Sequence, residues 1–160
     1  LMRILFYIKP DTMGFIRLIE GKYKPKILGI YEPNITSLNL GNLFSRAGNS
    51  ILGCSRSEGF SDRVWIFVNK SVNNLAIVYE NDQILTYSFL ESGRMMFCSV
   101  VYAHNNYIDR RLLWDQIQDL ENLILDPWII IRDINSILHA DEKIGQIVNT
   151  TSMVEFQECI

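Results

Sequence analysis

Positive charge is in short supply: 15 Lys and Arg residues against 18 Asp and Glu give a formal charge of −3 over 160 residues. A domain that wraps nucleic acid through a global positive field is thereby excluded, and any contact with a phosphate backbone has to be local. Cysteine is scarce as well. Cys54, Cys98 and Cys159 form an odd, widely spaced set without a CxxC pair, which argues against a disulfide framework or a zinc site and for buried thiols in a reducing compartment. Four prolines and nine glycines are too few for a disordered or collagenous chain. No apolar run approaches the roughly 18 residues that would span a bilayer, and residues 1–9 carry no signal-peptide cleavage site. The expectation is a soluble, intracellular chain with no membrane partner.

What is present is an ordinary globular composition, 48% apolar and 21% charged, at a length that suits one core; residues 1–160 read as a single domain. Short apolar runs at Ile4–Ile8 and Ile27–Tyr31 flank a loosely helical stretch through Phe15, Ile16 and Ile19, giving strand, helix, strand. Residues 33–49 are rich in Asn, Ser and Gly and read as a loop with a short helix around 40–44, and a strand is expected from Ser50. Then 64–68, 73–79, 84–90 and 95–103 are rich in β-branched and aromatic residues, separated by Asn69, Asn81-Asp82 and Ser92-Gly93. Successive hairpins, hence antiparallel pairing, follow from that pattern.

Leu113, Ile117, Leu120 and Ile124 recur at the spacing of one helix face, with Asn106 as the expected cap and Asp109 in the first turn. Pro127 ends the helix. Trp128 to Ile131 then read as a strand covered on both faces, which stops abruptly at Arg132, Asp133, Ile134 and Asn135. A turn over 140–143, a break at Gly145 and a helical stretch from Ser152 complete the pass. The implied class is α/β, with mixed sheets and helices outside.

Glu32, which precedes nothing but Pro33 after its strand, and Asp133 are acids at two strand ends that can converge in one crevice. Two carboxylates on rigid strand ends suit Mg²⁺, which takes one or two protein carboxylates and completes its octahedron with water and phosphate oxygens. The residues alone leave open the plainer reading, two solvated strand-end acids.

The ordered set Leu28-Gly29-Ile30-Tyr31-Glu32-Pro33, Arg63 to Phe67, Val101-Tyr102-Ala103 with Arg110, Arg111 and Trp114, Pro127-Trp128 before Asp133 and Asn135, Asp141 to Gly145, and Glu155 to Cys159 resembles the endonuclease/exonuclease/phosphatase superfamily. More narrowly it resembles the endonuclease domain that precedes reverse transcriptase in plant LINE-type retrotransposons. That resemblance implies a four-layered α/β sandwich of two facing mixed sheets, incomplete at its carboxy terminus, acting on the phosphodiester backbone of DNA with Mg²⁺ or Mn²⁺. It matches Glu32 to the family's metal-binding glutamate. Asp133 and Asn135 match the Asp-x-Asn motif, in which the aspartate handles the nucleophile or leaving oxygen and the asparagine amide donates to the phosphate. Tyr102 matches a tyrosine that reaches the phosphate. Arg110 and Arg111 read as a solvated helix face with phosphate contact as the alternative, His104 as a surface loop residue, His139 as a turn or helix residue, and Trp65, Trp114 and Trp128 as core anchors.

Three departures from the family temper the expected activity. Phe6 to Lys9 stand where the family has a metal-binding asparagine. Arg132 replaces a glycine beside Asp133 and is expected to be able to pair with it. The family's late Asp-His pair is not matched within these 160 residues, and general-base assistance is typically worth about 10²–10⁴-fold. Weak or no nicking is therefore expected of a truncated domain, with a non-catalytic fold remnant or a nucleic-acid or protein binding module as the alternative. A working parent element would place the domain beside a reverse transcriptase in the nucleus.

Overall fold

The computed structural model describes residues 4–8, 21–31, 49–54, 64–69, 71–145 and 147–159. The first sheet holds β1 (Ile4–Ile8), β2 (Ile27–Tyr31), β3 (Asn49–Cys54) and β4 (Val64–Asn69) in the order β1-β2-β4-β3. The second holds β5 (Asn73–Glu80), β6 (Ile84–Glu91), β7 (Arg94–Tyr102) and β8 (Trp128–Asp133) in sequence order. Both sheets are mixed, as expected: β1 with β2 and β7 with β8 are parallel, and the remaining pairs are antiparallel. The expected helices at 15–19 and 40–44 lie outside the described residues.

Turn chemistry sets the second sheet. Ser92 and Gly93 both have positive φ (52° and 79°) between the paired residues Glu91 and Arg94, the conformation a two-residue hairpin needs to match the twist of its strands. The turn before β6 is held by Asn81, whose Oδ1 accepts from the amides of Gln83 and Ile84 at 2.9 and 2.8 Å. The parallel step from β7 to β8 requires a crossover, and α1 (Arg111–Leu123) supplies it. A 3-10 turn (Ala140–Glu142) and α2 (Thr150–Cys159) follow.

Two cores result. Ile27, Ile66 and Val68 of the first sheet pack on Leu85, Tyr87, Phe89, Cys98, Val100 and Tyr102 of the second, forming the inside of the sandwich. The other face of the second sheet, with Ile84, Val101 and Ala103, is covered by Leu113, Trp114 and Leu120 of α1 and Phe156 of α2. Trp114 stacks on Phe156 with centroids 5.5 Å apart. Trp128 packs against the same core and donates its indole N–H to Ser99 Oγ at 2.9 Å, satisfying the polar end of a largely apolar side chain. The side chain of Trp65 lies outside the described residues.

Several sequence expectations need correction. The helix starts at Arg111 with Arg110 as its cap residue; Asn106 instead accepts from the amide of Ile108 at 3.1 Å in a turn ahead of it. An Asx turn competes with a cap for the same side-chain oxygen, and here the turn wins. The last helix begins at Thr150, two residues early, because Asn149 Oδ1 accepts from Ser152 N at 3.1 Å and caps it. Strand β8 is covered on both faces only in part, with Trp128 and Ile130 packed on the helix-facing core and Ile131 on the inward one. It is the edge of the described sheet, and Ile129 is 40% exposed on the inward face.

Lys26, one residue before β2, pairs with Glu91 at 3.0 Å. Glu91 is the register partner of Arg94, the first residue of β7, so this ion pair ties the amino ends of β2 and β7 together across the sandwich. The carboxyl ends of β2, β7 and β8 are the ends remote from it.

Candidate functional site

Strands β7 and β8 run parallel in a register that pairs Val101 with Arg132 and Tyr102 with Asp133. The ladder continues one step further, with Ala103 N donating to Asp133 O at 2.8 Å. Side chains alternate along a strand. Trp128 and Ile130 belong to the helix-facing core and Ile131 to the inward one, so Asp133 shares the inward face with Tyr102 while Arg132 faces the helices. There the Arg132 guanidinium sits 4.8 Å over the Phe156 ring. The expectation that Arg132 pairs with Asp133 is therefore corrected: adjacent residues of an extended strand cannot both turn to one face, and a stacked aromatic holds the cation on the other.

The chain leaves β8 through a tight turn. Asn135 has φ of +51°, a left-handed conformation that costs a side-chain-bearing residue about 1–2 kcal/mol and that Asn tolerates better than most. Three hydrogen bonds hold it. Its amide donates to Asp133 Oδ1 at 3.3 Å, its side-chain Nδ2 donates to Ala103 O at 2.7 Å, and its carbonyl accepts from Arg110 Nη1 at 2.9 Å. An amide nitrogen carries two hydrogens, so the bond to Ala103 leaves Nδ2 a second N–H for a ligand.

Asp133 and Asn135 both line a cavity of about 940 Å³, together with Tyr107, Arg132, Lys143 and Phe156. Tyr102 does not line it. It is 9% exposed and packs in the inward core behind Asp133. The structure thus brings Asp133 and Asn135 together at an accessible edge and sets Tyr102 beside them as a buried neighbour. Glu32 lies outside the described residues; it follows Tyr31, the last residue of β2.

As a metal donor set, the described residues fit only in part. They contain no group of three or more His, Cys, Asp or Glu side chains that could hold an ion. Asp133 supplies one carboxylate at a strand end, one of whose oxygens already accepts the Asn135 amide. A hard cation that keeps most of its waters can use one or two carboxylates, so the fit depends on a second acid, for which Glu32 is the sequence candidate.

Two neighbours of the site escaped the sequence reading. Arg110 is 3% exposed, not part of a solvated face, and its guanidinium points inward to backbone carbonyls. Burial lowers its pKa, opposed by the nearby Glu155 carboxylate. Arg111 is the exposed one: it pairs with Glu155 at 2.7 Å, lies 5.7 Å over the Tyr107 ring, and has its pKa raised by the hydrogen bond to Glu155. The signal was available, because Arg110, Leu113, Trp114 and Ile117 share the i, i+3, i+4, i+7 stripe and Arg111 does not. His104 is the other. It is half-buried, with Nε2 2.7 Å from Asp82 Oδ2, and its backbone amide donates to Gln83 Oε1 at 2.8 Å. The loop after β7 is thereby tied to the turn before β6. His139 flanks the 3-10 turn, its amide donating to Glu142 Oε1 at 3.0 Å.

No protein-family model matches the sequence, and no curated protein matches it. Solved structures do match. The endonuclease domain of TRAS1, a telomere-specific non-LTR retrotransposon, superposes with a TM-score of 0.69 at 15% identity, covering 99% of this chain and 71% of that one. An AP endonuclease from Archaeoglobus fulgidus gives 0.69 at 13% identity, covering 99% and 70%. The 3′ phosphatase NExo from Neisseria, solved with a product DNA hairpin, gives 0.68 at 11% identity with 99% and 70% covered.

Proposed function

Because the chain has the fold of the endonuclease/exonuclease/phosphatase superfamily, we propose that it is a metal-dependent DNA phosphodiesterase domain of the retrotransposon endonuclease type. The observation that carries the reading is the placement of Asp133 and Asn135: one carboxylate and one amide, fixed by a strained turn at the end of β8 and open to a large cavity. In this reading Asp133 handles the proton of the attacking water or the leaving oxygen. The free N–H of Asn135 donates to a phosphate oxygen. Tyr102, the register partner of Asp133, either donates its hydroxyl to the phosphate or fixes the wall behind Asp133. A divalent cation, Mg²⁺ or Mn²⁺, held at Glu32 with help from Asp133 would offset the charge that builds on the phosphate oxygens.

DNA is the proposed substrate because two of the solved neighbours are named for DNA chemistry or were solved with DNA, and one is a retrotransposon domain. In a parent element of that kind the domain would work beside a reverse transcriptase and act in the nucleus. These 160 residues on their own should nick weakly, since no Asp-His pair of the family type is matched within them and the site of the family's metal-binding asparagine is occupied by Phe6 to Lys9. Nicking of supercoiled plasmid in Mg²⁺ against EDTA tests the proposal; activity that survives EDTA or the loss of Asp133 would defeat it.

A further inference from the structure

Arg110 is the most deeply buried cation among the described residues, and its fork is spent on groups that belong to the site. Nη1 donates to the carbonyls of His104 at 2.7 Å, Asn105 at 3.1 Å and Asn135 at 2.9 Å, and Nη2 donates to Ser152 Oγ at 2.5 Å. Three segments far apart in sequence meet on one guanidinium: the loop leaving β7, the turn leaving β8, and the first turn of α2. Ser152 is itself buried and exchanges a 2.9 Å hydrogen bond with Ser136 Oγ, one residue beyond Asn135.

The energetics favour a dedicated role. Burying a guanidinium is costly unless its donors are met. Here they are met chiefly by carbonyls, not by a carboxylate that would merely neutralise it. A planar fork can satisfy several acceptors in one plane, whereas the lysine ammonium is a single point with rotating donors. Meanwhile Asn135 needs its unfavourable backbone held in place, and the carbonyl that fixes the turn is the one Arg110 grips.

Resting on the phosphodiesterase reading above, we propose that Arg110, which lines the same cavity as Asp133 and Asn135, is a positioning residue of this site: its guanidinium is engaged by protein acceptors and acts by locking the Asp133–Asn135 turn against the loop after Tyr102. It follows that the Asn135 amide presents its N–H in a fixed direction only while the fork is intact.

The test is Arg110→Lys, which keeps the charge and loses the fork, and Ser152→Ala, which removes one acceptor and perturbs the fold least. Amide hydrogen exchange in the intact chain reports the turn directly, whatever the activity. In Arg110→Lys the amides of Ala103 and Asn135 should exchange at least about tenfold faster while those of Leu85 and Tyr87 in the core stay protected; Ser152→Ala should show the same local pattern more weakly. If the chain nicks, Arg110→Lys should lower the rate at saturating DNA by about 10²-fold, the scale of an ångström-level misplacement, with little change in the half-saturating DNA concentration. Unchanged exchange at Ala103 and Asn135 in a folded Arg110→Lys protein overturns the positioning role. Should Arg110→Lys unfold, unchanged exchange at those amides in Ser152→Ala overturns it equally. A wild-type chain that does not nick defeats the phosphodiesterase reading, and the exchange pattern still decides whether Arg110 holds the turn.

Discussion

Tyr102 and Asp133 are register partners at the carboxyl ends of two parallel strands, and just beyond them a side-chain bond from Asn135 Nδ2 to the carbonyl of Ala103 at 2.7 Å links the turn after β8 to the end of β7. The same two strand ends therefore carry the acid, the amide and the aromatic wall. Rigid strands fix the first and last of these, and a strained turn fixes the amide.

That turn gives a stability test. Both Asn135→Ala and Asn135→Gly lose the 2.7 Å bond to the Ala103 carbonyl, but only alanine also keeps a side chain at positive φ, so Asn135→Ala should be less stable than Asn135→Gly by about 1–2 kcal/mol. Chemical denaturation of the two variants measures the difference. Both remove the amide, so both should lower nicking by at least about tenfold. Equal stabilities would show that the left-handed turn is not a constraint.

Cys98 predicts a pH dependence. Burial pushes its thiol up to about 11, only partly offset by a hydrogen bond with Tyr87. The folded pKa lies above the ordinary value of 9.0, so the folded chain stays protonated where the unfolded chain ionises. Stability is fully present below about pH 9 and falls between about pH 9 and 11, by about 1.4 kcal/mol per unit at most. Cys98→Ala should flatten that segment of the stability profile; a profile unchanged by the substitution would refute the assignment.

Arg132 is predicted to be a packing residue. Its stacking on Phe156 joins β8 to α2, so Arg132→Ala should lower stability by about 0.5–1 kcal/mol, and a double-mutant cycle with Phe156→Leu should show coupling of that order. Additive effects would mean that the contact contributes nothing.

DNA affinity should depend shallowly on salt. Each neutralised phosphate adds about −0.9 to the slope of log affinity against log salt, and a chain of formal charge −3 with local contacts only should give a slope no steeper than about −3. A slope near zero would remove backbone contact from the account, and one near −8 would require a basic surface that the composition does not supply.

Most of the framework was legible in the sequence because hydrophobic alternation, turn residues and one long amphipathic helix encode it locally. Strands β1, β2 and β4 to β8, the end of α1 before Pro127 and the pause at Gly145 all follow from such local signals. What was not legible depends on competition or on distance. Asn106 had an Asx turn open to it as well as a cap, and only the folded loop chooses. The orientation of Arg132 followed from strand alternation but was masked by its adjacency to Asp133. The burial of Arg110 showed in the helical stripe, yet its acceptors at His104, Asn105, Asn135 and Ser152 come from segments that no local pattern connects. The pairing of His104 with Asp82 is likewise a product of the sheet, which folds two distant loops onto one end.

In the proposed function, Asp133 and a divalent cation together support cleavage of DNA phosphodiesters at this strand end. The most direct measurement is nicking of supercoiled plasmid by the purified, folded chain in Mg²⁺ and in EDTA, with Asp133→Ala and Glu32→Gln alongside. Weak nicking that requires Mg²⁺ and falls to the EDTA blank in both variants is the expected result. Nicking that persists in Asp133→Ala, or a folded wild-type chain that never rises above the blank, would contradict it.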